Sequence, residues 1–214
     1  MLPTNSGNSI LHLPSGHNYP STNTSWLPTN WTIQEIQVEP PLQTNPITVT
    51  SLAANNRIYF KCLSATGTVK YNNNTEYQTL SEGDEITLGT IGNQETLQVK
   101  YAYTGTVSLM GTGDFTVSGD IIDVNDGVTP GMFKNSTHLT SAKNLVLSPT
   151  TLTDSCYKEM FMGCTSLVRL GMPDLNATVL ADNCYDSMFK GCTSLQSASF
   201  SYSRDIVWAD ECCN

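Results

Sequence analysis

Laid on itself with a shift of 28 residues, the chain aligns from about residue 124 onward. Met132-Phe133, Met160-Phe161 and Met188-Phe189 coincide. Gly163-Cys164-Thr165-Ser166-Leu167 recurs letter for letter as Gly191-Cys192-Thr193-Ser194-Leu195, and a decayed copy reads Asn135-Ser136-Thr137-His138-Leu139. Val124, Leu152, Leu180 and Trp208 share one column, and Asp126, Asp154, Asp182 and Asp210 share another. Cys156, Cys184 and Cys212 fall in register, as do Cys164 and Cys192. A unit this short cannot bury an apolar face alone, so its copies must stack, with like residues in rows.

The apolar columns predict what is stacked. Cys156, Tyr157, Met160 and Phe161 lie at i, i+1, i+4 and i+5, one face of a short helix. Asp154 stands where an N-cap belongs and Gly163 where a helix stops, which gives Asp126, Asp154, Asp182 and Asp210 as helix caps. A strand-like stretch, Leu167 to Met172, follows, so the expected coil is one short strand plus one short helix. The expected core is Leu152, Cys156, Met160, Phe161, Cys164 and Leu167 in one copy and Leu180, Cys184, Met188, Phe189, Cys192 and Leu195 in the next. Phe133 and Leu139 belong to the decayed first copy, Trp208 and Cys212 to the last. Cys212-Cys213-Asn214 aligns with Cys184-Tyr185-Asp186, so the array is expected to continue past residue 214.

The string Cys-Tyr-x-x-Met-Phe-x-Gly-Cys-Thr-Ser-Leu, at 156–167 and again at 184–195, closely resembles BspA-type leucine-rich repeats. Such repeats occur in surface proteins of gut anaerobes and in virion proteins of phages that infect them. The resemblance implies a leucine-rich-repeat solenoid over about 124–214, used for adhesion and binding, with no enzymatic activity attached to the repeat. Residues 47–123 are similar to the β-rich module that often precedes such repeats, through Thr112-Gly113-Asp114-Phe115-Thr116-Val117-Ser118-Gly119-Asp120-Ile121.

Ahead of the repeats, the pattern turns to short strands bounded by Asn-, Gly- or Asp-containing turns: 47–49, 57–63, 66–71, 85–88, 96–103, 107–110 and 115–117. That density suggests a β-sandwich over 47–123 whose last strand runs into the first coil, giving a continuous core. Residues 1–46 hold seven of the ten prolines, which excludes a regular helix. They also carry Leu11, Leu13, Tyr19, Trp26, Trp31, Ile33 and Ile36. An extended arm with spaced large anchors suits a groove of another chain, which would supply pairing and pockets; the competing expectation is a strap across its own β-module. The whole is mainly β: extended arm, sandwich, then solenoid.

Composition narrows the partners. Charged residues are 14% of the chain against roughly 25% in ordinary domains, with Thr, Ser and Asn in their place. The net charge of −9 leaves no basic cluster for phosphate, so nucleic acid is not an expected partner. No apolar run reaches transmembrane length, so membrane insertion is not expected either. The N-terminus lacks the basic and apolar regions of a secretory signal.

Candidate sites have simpler readings. The cysteine columns could be bridged at the spacing of neighbouring rungs, yet free thiols pack as small hydrophobes and need no bridge. One aspartate per coil is too few for a calcium ladder, and 123–127 lacks the terminal Glu of an EF-hand loop. The histidines, His12, His17 and His138, have no nucleophile or orienting partner at a suggestive spacing. No catalytic residue, cofactor or metal is therefore expected. A cryptic glycan-cleaving site would need two convergent carboxylates in a cleft.

The expected function is non-enzymatic. The leading reading is a phage virion fibre or decoration, attached to other virion proteins by residues 1–46. It would be a symmetric homo-oligomer such as a trimer, and its repeats would face a host surface protein or glycan. The alternative is a bacterial cell-surface adhesin.

Overall fold

A computed structural model describes residues 46–72, 76–121, 130–168 and 177–195 in full, with the backbone of strands at 9–14, 31–36 and 174–175. The described chain is mainly β, with thirteen strands, no helix and no closed barrel among the described residues. It divides into two units, Met1–Pro40 and Pro41–Asn214.

In the first unit, β1 (Ser9–Pro14) and β2 (Trp31–Ile36) pair in parallel. The register sets Ser9 beside Trp31, Leu11 beside Ile33, Leu13 beside Glu35 and Pro14 beside Ile36. These two stretches were expected to take their backbone partners from another chain, and here they take them from each other. Five of the seven expected anchors, Leu11, Leu13, Trp31, Ile33 and Ile36, sit in this pair; Tyr19 and Trp26 lie outside the described residues.

The second unit begins with three sheets. One has the order β7 (Glu85–Ile91), β4 (Asn56–Cys62), β10 (Val107–Gly111), all antiparallel. The second runs β8 (Thr96–Val99), β3 (Ile47–Ser51), β11 (Phe115–Ile121), β12 (Leu139–Leu147), β13 (Asp174–Leu175). The third is β6 (Gln78–Ser81), β5 (Thr66–Tyr71), β9 (Tyr101–Thr104). Strict alternation of buried and half-buried residues in β3 and β4 is the period-two signature of one face turned to a core. The expected strand 96–103 is two strands in different sheets: the chain changes sheet at Lys100, whose N–H and C=O are both taken by Asn72. β6 escaped the pattern because only Leu80 of its four residues is buried.

The repeat region corrects one expectation outright. No helix forms at 154–163; this stretch is a run of overlapping turns. Ser155, Glu159 and Gly163 all have φ between 56° and 75°, and Asn183, Ser187 and Gly191 lie between 55° and 78°. Gly131 and Asn135 do the same in the first copy. A left-handed residue at every fourth position breaks any α-helix. Without a helix there is nothing for Asp154 and Asp182 to cap; both are exposed within the first turn of their runs, and Asp126 and Asp210 lie outside the described residues.

What replaces the helix is a division of labour among backbone groups. Even-numbered N–H groups donate three residues back: Cys156 to Thr153, Lys158 to Ser155, Met160 to Tyr157, Met162 to Glu159, at 3.0–3.3 Å. Odd-numbered N–H groups donate 27 residues ahead: Tyr157 to Cys184, Glu159 to Asp186, Phe161 to Met188, Gly163 to Lys190, at 2.8–2.9 Å. The first copy donates to the second in the same way, from Gly131, Phe133 and Asn135 to Lys158, Met160 and Met162. An α-helix spends its N–H groups internally, whereas this chain uses half of them to join one copy to the next.

Side chains stack in step. Phe133 and Phe161 lie 5.3 Å apart between ring centroids, Phe161 and Phe189 5.6 Å, and Tyr157 and Tyr185 5.9 Å, all close to parallel. Phe133, Leu139, Leu152, Cys156, Met160, Phe161, Cys164, Leu167, Leu180, Cys184, Met188 and Cys192 are buried, while Phe189 and Leu195 are partly buried. Trp208 and Cys212 lie outside the described residues.

The copies continue the preceding sheets. Leu109 of β10 donates to Met132 O, Ser108 Oγ donates to Lys134 O, and β12 pairs in parallel with β11. The phenol of Tyr101 donates to Met132 Sδ at 3.0 Å. One cluster of buried side chains accordingly runs from Ile47 to Cys192.

Candidate interaction surfaces

Two of the sheets turn alternate residues into this core, and their outward-facing residues present different chemistry. The first layer is β7, β4 and β10 followed by the three runs of turns, each hydrogen-bonded to the next. Its outer side is charged. Glu85 receives Arg57 Nη2 at 2.9 Å and Lys61 Nζ at 3.1 Å, and Arg57 also lies 4.0 Å above the Tyr59 ring. These two cations, Arg57 foremost, hold the Glu85 carboxyl below its usual range. On the turns, Lys134 pairs with Glu159 and Lys158 with Asp186, each at 2.6 Å. Lys158 and then Ser187 lower the Asp186 carboxyl, and Asp186 raises Lys158. Every pair on the turns joins one copy to the next, so the stack is clasped outside as well as in.

The second layer, β8-β3-β11-β12, carries mostly hydroxyls and amides, bordered by the Asp120–Val146 register pair and by the exposed Lys143 of β12. Its register forms two rows across the strands. One is Thr96, Thr50, Thr116 and Ser141; the other is Gln98, Thr48, Ser118 and Asn144. All eight are exposed or half-buried, while their strand neighbours Ile47, Val49, Phe115 and Val117 point into the core. Not one of the eight is ionisable. Sequence reading missed this surface because polar positions of different strands become a row only when the pairing register is known.

The cysteines serve the interior. Cys62, Cys156, Cys164, Cys184 and Cys192 are all buried as thiols. Cys164 Sγ donates to Phe133 O and Cys192 Sγ to Phe161 O, both at 3.0 Å, a third link between copies. Burial pushes both thiols up, Cys192 to about 11. The first copy has Ser136 in this column; its hydroxyl is buried without a hydrogen-bond partner, since a strand, not another run of turns, precedes it.

Among the described residues no group of three or more His, Cys, Asp or Glu side chains is placed to hold a metal ion, and no helix is long and apolar enough to cross a membrane. His138 Nδ1 meets Asp114 Oδ1 at 3.0 Å with both side chains well exposed. His12 falls in β1, beside Gln34; His17, Cys212 and Cys213 lie outside the described residues. No protein-family model, curated protein or solved structure matches this chain.

Proposed function

We propose that the protein is a non-enzymatic structural and adhesive component, and that its repeats form a leucine-rich-repeat solenoid of the BspA type following a β-sandwich. In this reading it is a fibre or decoration of a phage virion. Residues 1–46 attach it to other virion proteins, the copies assemble as a symmetric homo-oligomer such as a trimer, and the stacked surface meets a host protein or glycan. Neither nucleic acid nor membrane insertion has a part in it.

The observation that carries the reading is the way the copies are joined. Backbone bonds, aromatic rows, buried thiols and external ion pairs all run from one copy to the next. Such a chain invests its polar and apolar groups alike in a rigid, repetitive surface, which suits presentation to a partner.

Antibodies raised against the purified chain test it, applied to particles and to uninfected cells from the source culture. Labelling on the outside of particles, with a defined oligomer by light scattering, is the expected result. Labelling confined to the cell envelope, with a monomer in solution, establishes the adhesin alternative instead. Labelling of neither overturns both.

A further inference from the structure

We infer that the hydroxyl face of β8-β3-β11-β12 is a binding surface for neutral polysaccharide; this rests on the adhesive reading and names the class of ligand. The centre of the face is Thr48 and Thr50 on β3 and Thr116 and Ser118 on β11, held side by side by the antiparallel register. Neighbouring strands lie about 4.8 Å apart and alternate residues about 6.8 Å apart along a strand, so these side chains form a regularly spaced grid. Among the described residues, no side-chain hydrogen bond engages the hydroxyl of Thr48, Thr50, Thr96, Thr116 or Ser118. Each is left a donor and an acceptor directed to solvent.

The chemistry of the face selects the ligand. A protein partner is ordinarily anchored by aromatic or Arg side chains in desolvated pockets, and the two rows contain neither. An anionic partner needs a cluster of cations, and the rows contain none; the bordering charges, Lys143 on β12 and Asp120 on β11, are of opposite sign, and the paired Arg57, Lys61 and Glu85 belong to the sheet of β4 and β7. What a grid of threonines offers is many uncharged hydrogen-bonding groups interleaved with methyls. The surface of an uncharged sugar chain, with hydroxyls around its rim and C–H groups on its faces, complements it. Each contact is weak, and a polymer gains by engaging several strands at once.

Affinity electrophoresis of the full chain tests the inference, in native gels cast with a neutral β-glucan, a neutral mannan, a neutral galactan or, separately, the polyanion hyaluronan. The expected result is retardation by at least one neutral polymer and none by hyaluronan. The variant Thr50→Glu/Thr116→Glu is expected to bind at least tenfold more weakly, and Lys61→Gln on the other layer as wild type. Circular dichroism and the melting midpoint show that each variant is folded. Thr50→Ser/Thr116→Ser, which keeps the hydroxyls, covers the case in which the charged variant unfolds: it should retain most of the retardation, and Thr50→Val/Thr116→Val should lose it. Retardation by none of the neutral polymers, by hyaluronan only, or equally of wild type and Val variant overturns the inference. The adhesive reading survives those outcomes if antibody still labels particles or envelopes, so the two fail separately.

Discussion

At the scale of the residue, the turns depend on positions that accept a left-handed backbone, and the two glycines of the repeated Gly-Cys-Thr-Ser-Leu string separate two costs. Gly163 has φ +75°, and a Cβ there would collide with Asn135 Oδ1 of the preceding copy. Gly191 has φ +78°, but a Cβ would find its nearest neighbours at 3.6 Å, an ordinary contact. Gly191→Ala should therefore cost only the backbone penalty, about 1–2 kcal/mol. Gly163→Ala should cost distinctly more, as read by urea denaturation of both variants. Equal losses would show that the Asn135 side chain turns aside at no cost.

The ion pairs that clasp the stack titrate with a definite sign. Asp186 has its carboxyl lowered by Lys158, so its folded value lies below its unfolded one. The stability it contributes is complete above the unfolded value and is lost as pH falls through the folded one. Asp186→Asn should flatten the acid side of the stability–pH curve. At neutral pH it should cost no more than about 1 kcal/mol, the scale of a partly exposed pair. A steeper acid dependence in the variant than in wild type would contradict the pairing.

At the scale of the element, the repeat was legible and its local conformation was not. Cys156, Met160 and Cys164 recur at a strict interval of four, and so do Tyr157 and Phe161. Over two turns that interval differs from the 3.6 of an α-helix by too little to tell apart from apolar positions alone. The distinguishing signal lay in the polar column: Ser155, Glu159, Gly163, then Asn183, Ser187, Gly191, with Gly131 and Asn135 before them. Gly and Asn at a four-residue spacing are residues that tolerate positive φ, and a helix has no use for them there. Glu159 obscured it, being a strong helix former held left-handed by bonds to the next copy. Strands β3, β4 and β5 were legible because they alternate. β9 was hidden inside a longer expected strand because Tyr101, Ala102 and Tyr103 are all buried.

The division of backbone donors makes the length of the unit a physical quantity. Deleting residues 156–183 brings the first copy against the third with every column matched, so that Phe133 would meet Phe189 and Gly131 would donate to Asp186. This shortened chain should remain folded, with a smaller unfolding enthalpy in calorimetry. Deleting only 156–169 leaves the columns out of step and should abolish the cooperative transition. If both deletions behave alike, the copies are not interchangeable rungs.

At the scale of the molecule, one cluster of buried side chains takes in residues both of the sheets that precede the repeat and of the repeat itself. Phe60 belongs to β4 and Phe161 to the turns, and both are fully buried in that cluster. Phe60→Ala and Phe161→Ala should each cost about 3–5 kcal/mol. They should do so by shifting one common transition in a calorimetric scan. Two transitions, each moved by only one of the substitutions, would mean that the parts fold separately. The chemical contrast between the two layers, charged on one side and hydroxyl-rich on the other, likewise emerges only at this scale.

The central claim is that alternate backbone N–H groups of each copy reach across to the next. Scalar couplings transmitted through hydrogen bonds measure this directly in isotope-labelled protein. Couplings from the amide nitrogen of Phe161 to the carbonyl carbon of Met188, and from Tyr157 to Cys184, are the predicted result. Couplings from these same nitrogens to carbonyls four residues back, in place of the cross-copy pair, would mean a helix after all and would contradict the account.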